Sequence, residues 1–378
     1  MRNNRNRLLI LGAIVVAACG EGEPAFESDV PERVGEVDLE IGRLDGPPEY
    51  TFGMISGTVT APNGEILVSD GQQEVIRVFD IDGAFLRSIG RDGEGPGEFR
   101  MPCCIAFGPT GLLWVRDGGN RRYVSFEMSA VSEVPGPTIR MSHASGGLFA
   151  PITFQTDSTL IDIGHKTGAD GEFALWRTAL SLQGRTTGTE LVEEPSPETL
   201  GTKVRQQTVP GGMAQYYYPQ PYGPSFLLAH GPGGAWASAV SSEYAVTLHM
   251  AGDTVEVHGP SVEGPPLSPR EMERARERLQ TYLERGGGKL SDYPEVPFKK
   301  PPLAGLNFDV TGRLWVELSV EEGQDRRADL YDFRGDLVER RVWPSRVSLR
   351  FPAWLGSETV LGITTDSLGV QRVARVRF

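Results

Sequence analysis

Three short segments place a cation just ahead of an apolar run: Phe99-Arg-Met-Pro102, Phe298-Lys-Lys-Pro301 and Leu349-Arg-Phe-Pro352. Arg100, Lys300 or its neighbour Lys299, and Arg350 could each offer a carboxylate a charge-assisted hydrogen bond worth about 1.5 to 3 kcal/mol. If the fold gathers them, they form a funnel for an anionic or sugar-acid ligand. The competing reading is that they pair with neighbouring acids such as Glu98 and Glu295, and residue types alone do not choose. Tyr216-Tyr-Tyr-Pro-Gln-Pro-Tyr222 offers aromatic rings that could stack on a sugar or peptide or pack inside the protein. Adjacent Cys103 and Cys104 can close a vicinal ring, stay reduced or bind a soft metal. The simpler reading, which we prefer, is two small apolar residues at a tight strand entry.

Other chemistries find less support. A catalytic zinc site needs about three converging ligands, yet the five histidines, at 143, 165, 230, 249 and 258, fall at unrelated points of the pattern. A calcium site would need Glu, Asn and Asp at the strand entries, which supply almost none. No Gly-x-Ser-x-Gly elbow occurs, and Gly90-Arg-Asp-Gly-Glu-Gly-Pro-Gly97 precedes a strand rather than a helix, so it reads as a turn and not a phosphate loop. No catalytic residue, metal or cofactor is assigned. The formal charge of −13 repels phosphate backbones, so nucleic acid is not expected as a partner.

The elements that must position these residues show themselves as a repeat. The chain has 378 residues with 47 Gly and 28 Pro, too rich in turn formers for a helical bundle. Gly64-Glu-Ile-Leu-Val-Ser-Asp70 returns as Gly111-Leu-Leu-Trp-Val-Arg-Asp117, and further copies stand at Gly234-Ala-Trp236 and Gly312-Arg-Leu-Trp-Val316. An apolar residue four before a turn glycine recurs at Phe79/Gly83, Leu180/Gly184, Leu248/Gly252 and Tyr331/Gly335. One landmark per unit (Leu67, Trp114, Leu160, Trp236, Trp315, Val360) gives six units, spaced 47, 46, 76, 79 and 45 residues apart. Each reads as a four-stranded antiparallel meander, so the chain is expected to be all-β: a six-bladed propeller with one inserted helix. Val37 to Gly42 aligns with the last strand of unit one and should complete blade six, sealing the ring.

Two connections are stretched. Ser268-Pro-Arg-Glu271 reads as a capping box with proline at the first helical position, and Met272, Ala275, Leu279, Tyr282 and Leu283 follow at helical spacing, predicting a helix over about 268–286. It reads as a lid or buttress on one propeller face rather than a partner-recruiting helix. Glu190 to Gln220 reads as a long loop with an aromatic tip.

Leu113-Trp-Val-Arg-Asp-Gly-Gly-Asn-Arg-Arg-Tyr-Val-Ser-Phe126, with Phe79 to Gly90 and Gly95-Pro-Gly-Glu-Phe99, resembles the NHL repeat, and the whole chain resembles the six-bladed propeller lipoproteins of bacteria. The likeness is sharp over 37 to 130. Units three to six keep the period without the Asp…Asn-x-Arg signature, and unit one has Val75 at the Arg position. Met1 to Arg7 carries three Arg, Leu8 to Ala18 is apolar apart from one Gly, and Val-Ala-Ala-Cys follows, too short a run to span a bilayer. The segment resembles a lipoprotein signal. That resemblance implies a signal peptide over 1–18, an acylated (palmitate-type) Cys19 as membrane anchor, and sorting onward to the outer membrane with Gly20 next. Val16 departs from the commoner Leu, and an ordinary secretory signal cut after Ala18 stays open.

Residues 19–36 read as an acidic tether and 37–378 as the propeller. The implied setting is the cell envelope. The architecture carries binding modules, scaffolds, lactonases and lyases alike. We expect a non-enzymatic binding or scaffolding module for a peptide, glycan or protein partner, with Arg100, Tyr222, Lys300, Arg350 and the Cys103-Cys104 pair at the channel mouth. The alternative is a channel-sited, lactonase-like hydrolase or lyase acting on an anionic sugar or peptide.

Overall fold

The computed structural model describes residues 30–378 apart from 130–132, 144–149, 169–170, 172, 210–211, 251 and 287–288. The signal segment and Cys19 lie outside the described residues.

The protein is a six-bladed β-propeller. Blade one runs Ile55–Thr60, Ile66–Asp70, Val75–Phe79, Phe85–Ile89, in sequence order from the channel outward, and blade two runs Pro102–Phe107, Leu113–Asp117, Arg122–Met128, Glu133–Arg140. Blade three follows as Thr153–Thr156, Thr159–Thr167, Phe173–Ser181, Thr186–Val192, and blade four as Phe226–His230, Trp236–Val240, Ala245–Met250, Asp253–His258. Blade five is Leu303–Phe308, Leu314–Leu318, Arg326–Tyr331, Leu337–Trp343. Blade six has Trp354–Leu355, Thr359–Thr365 and Gln371–Arg377, and the N-terminal strand Glu36–Ile41 adds its outer edge antiparallel to Gln371–Arg377.

The periodicity has a backbone cause. Gly64 and Gly111, which open the repeat, turn at φ +88° and +80°, where a side chain would be strained, and Gly234 and Gly312 turn the same way (φ +78° and +88°) at the inner hairpins of blades four and five. Second strands such as Ile66–Asp70 and Leu113–Asp117 are buried throughout, sandwiched between neighbouring blades, whereas outer strands such as Phe85–Ile89 alternate.

The Asp of the repeat signature is structural. Asp70 accepts from the backbone N–H groups of Gly53 (2.9 Å) and Met54 (3.1 Å) and pairs with Arg77 (3.2 Å). Asp117 accepts from the Arg100 N–H (2.8 Å), the Asn120 amide (2.7 Å) and Arg122 (2.9 Å). In both of these blades the carboxylate clamps the entry of the inner strand to the hairpin beyond it.

Two readings change. Glu32–Val34, assigned to the tether, is a strand paired in parallel with Leu337–Trp343, because its backbone finds the open edge of blade five. Glu190 to Gln220 is not a loop throughout: Lys203–Val209 and Gly212–Tyr218 form an antiparallel hairpin outside the six blades. Its last residue, Tyr218, packs with Tyr282, Leu279 and Tyr293, beside the inserted helix Pro269–Gly286. That helix opens with the expected reciprocal cap, Ser268 N–H to the Glu271 carboxylate (3.0 Å) and Glu271 N–H to Ser268 Oγ (3.1 Å).

Candidate functional site

The inner strands enclose a channel cavity of about 1580 Å³. One helix stripe, Glu271, Arg274, Arg278 and Tyr282, at i, i+3, i+7 and i+11, lines the same cavity as Tyr222, Lys300 and Arg350. The helix therefore borders the mouth where the inner strands begin.

The mouth is built on a repeated irregularity. The pairing of inner and second strands slips by one residue between Ile55 and Gly57 in blade one, Cys103 and Ile105 in blade two, and Leu303 and Gly305 in blade five. Each bulge releases one residue from the ladder. In blade five that residue is Ala304, whose carbonyl accepts the Arg350 guanidinium at 2.8 Å. In blade two it is Cys104, held at φ +55° and joined to Cys103 by a vicinal disulfide.

The predicted site residues divide accordingly. Lys300, Arg350 and Tyr222 line the cavity. Lys300 is committed: its ammonium pairs with Glu271 at 2.6 Å and donates to the Val320 carbonyl at 2.8 Å. Arg350 is exposed, and among the described residues its guanidinium donates to the Ala304 carbonyl alone. Tyr222 sits beside Arg274, which is paired with Glu322 at 2.9 Å.

Arg100 does not join them. It is absent from the cavity wall because the Asp117 clamp fixes its backbone while its exposed guanidinium turns to Glu94 (3.0 Å). Lys299 likewise pairs with Glu263. Cys103 and Cys104 are disulfide-bonded and buried in the core shared by blades two and three, with Gly57 of blade one against the Cys104 backbone, and neither lines the cavity. The expected acidic partners also differ: Glu98 takes Arg91, and the Glu295 backbone carbonyl accepts from Gln220.

The sequence reading missed Arg274 and Arg278, whose signal was the polar stripe beside the apolar face of the helix. It also missed the Glu317–Arg326 pair (2.7 Å) on blade five and His230 on blade four, which line the cavity too. Burial, reinforced by the charge of Arg177, pushes His230 down to about 3, so it is neutral at pH 7. Elsewhere Asp162 gathers His143 (2.8 Å), Tyr123 (2.7 Å) and Ser142 (2.8 Å to Oγ) at the seam of blades two and three. Burial alone would raise Asp162, but these hydrogen bonds bring it below the ordinary carboxylate range. Among the described residues no group of three or more His, Cys, Asp or Glu converges as a metal site, and no helix is long and apolar enough to cross a membrane.

No curated protein matches the chain. Residues 44–107 match a family model described as a 6-bladed beta-propeller. Among solved structures, a protein of Bacteroides fragilis described as exported is similar over 92% of this chain and 99% of its own, at 11% identity and a TM-score of 0.48. Virginiamycin B lyase of Staphylococcus aureus aligns over 89% and 86% at 12% identity and a TM-score of 0.35. A gluconolactonase of Xanthomonas campestris aligns over 90% and 98% at 12% and 0.35. All three lie below a TM-score of 0.5 and say nothing of ligand or reaction here.

Proposed function

We propose that the protein is a lipid-anchored binding module of the bacterial cell envelope, in the outer membrane, with NHL-like blades whose channel takes a carboxylated peptide or glycan. The observation that carries this is the state of two guanidinium groups. Arg278 and Arg350 line one cavity, and among the described residues no acid is paired with either. A guanidinium free of a carboxylate at the edge of a concave site is a receptor for one. The acyl chains on Cys19 supply the anchor.

The alternative, a channel-sited hydrolase or lyase, has His230 in its favour as a cavity-lining base. A base whose conjugate acid titrates near 3 is poorly matched to proton abstraction at neutral pH, so this reading is the weaker one.

Thermal-shift and calorimetric titrations with galacturonate oligomers and short peptides test the proposal. Arg278→Ala with Arg350→Ala should weaken binding at least tenfold, about 1.4 kcal/mol, while Arg100→Ala, a surface control, leaves it unchanged. Equal binding by the double variant, or no carboxylated ligand bound by the parent, would overturn it.

A further inference from the structure

We propose that the ligand of this channel carries a free ammonium group, received by Glu317, so that the occupant is a zwitterion: a free amino acid or a short peptide with an open N-terminus. This rests on the carboxylate reading above and narrows it.

Glu317 lies on the second strand of blade five and is 2% exposed. Its Oε1 accepts from Arg326 at 2.7 Å. Its Oε2 is buried and has no hydrogen-bond partner, yet the residue lines the cavity. A desolvated carboxylate oxygen left unpaired is unfavourable, and the strongest relief is a charged donor. The position is prepared for one, because the residue opposite Glu317 in the ladder is Gly305. A β-carbon there would stand 3.4 Å from Oε2, so glycine leaves open the space in front of that oxygen.

The anion receptor is one residue away. Arg350 is held on the carbonyl of Ala304, the bulge residue immediately before Gly305. A single irregularity of the inner strand thus sets an uncommitted cation beside an unsatisfied carboxylate oxygen, the pair of receptors that a zwitterion requires. Lys300 and Glu271, already paired with each other, leave this balance unchanged. A sugar hydroxyl could also donate to Oε2 but brings no charge, which makes a sugar acid the competing outcome.

Calorimetry with the purified chain and four compounds decides the matter: trialanine, N-acetyl-trialanine, trialanine amide and digalacturonate. Trialanine should bind, and acetylation should weaken it at least tenfold in the parent protein, a comparison that needs no variant to fold. Glu317→Gln should then bind the free and acetylated peptides alike. If the parent already binds both equally, or binds digalacturonate and not trialanine, Glu317 receives water or a hydroxyl and the ammonium assignment is wrong while the carboxylate reading stands. If trialanine amide binds as well as trialanine, the carboxylate reading itself fails, and binding of none of the four overturns both.

Discussion

The guanidinium of Arg350 donates to the carbonyl of Ala304 at 2.8 Å, tying the entry of blade six to the one residue that blade five's inner strand releases from its ladder. Because the bond is solvent-exposed, Arg350→Ala should change folding stability by less than about 1 kcal/mol. Urea denaturation should therefore show nearly the parent midpoint in a variant whose ligand affinity has dropped. A large loss of stability would mark the arginine as a structural tie.

The Lys300–Glu271 pair predicts the opposite. Both side chains are largely buried, so Lys300→Met strands the carboxylate and should cost about 3 kcal/mol. Adding Glu271→Gln, which keeps the helix cap but removes the charge, should restore most of that in chemical denaturation.

Two buried groups set the acid limit. His230 is neutral in the fold down to about 3, whereas the unfolded chain takes up its proton near 6.5, so the unfolded state binds more protons between those values. Stability should fall by up to about 1.4 kcal/mol per pH unit as pH drops through that window. His230→Gln should flatten the dependence in calorimetric scans between pH 7 and 4. Asp162, held below the ordinary carboxylate range, adds a second loss that begins only where unfolded carboxylates protonate, near pH 4, and Asp162→Asn should remove that part alone.

Removing residues 30–41 should lower the melting temperature, since Glu36–Ile41 closes blade six and Asp38 binds Arg375 (2.7 Å) and Arg377 (2.8 Å). Removing only 30–34 should have a much smaller effect in differential scanning calorimetry. An unchanged melting temperature after the longer deletion would refute closure from the N-terminal side.

Cys19→Ser should move the protein from the membrane fraction to the soluble one, because the acyl chains are its proposed anchor. Fractionation with immunodetection reads this directly, and a variant that stays with the membrane contradicts the lipid assignment.

The architecture was legible because its constraints are local and repeat. Gly64, Gly111 and their counterparts stand where the backbone must turn left-handed, and Asp70 and Asp117 stand where a strand entry must be clamped. Where those needs recur from blade to blade, as at Gly64, Gly111, Gly234 and Gly312, they leave a period. The site was legible only in part, since a one-residue bulge has no compositional mark: Cys104 and Ala304 occupy the same place with unrelated side chains. That bulge sends Arg350 to blade five, while Arg100 at its own strand entry turns to Glu94. Glu317, which directly follows the Gly312 to Val316 landmark, escaped because its role depends on Gly305 across the ladder, which no motif marks, and the hairpin Lys203–Tyr218 because its strands lack a buried face to impose alternation.

The chain enters the fold by way of two rims. Glu32–Val34 lies along blade five, Gly35 donates to the Val342 carbonyl, and Glu36–Ile41 continues along blade six. A side chain at Gly35 would collide with Val376 and Phe378, so the crossing is drawn tight against the body. A pull from the N-terminal side therefore loads the three-residue ladder on blade five first, and the six-residue closure strand is strained only after that ladder has peeled. Under tension the first strand is a sacrificial fastening, able to give way and re-form while the ring behind it stays shut.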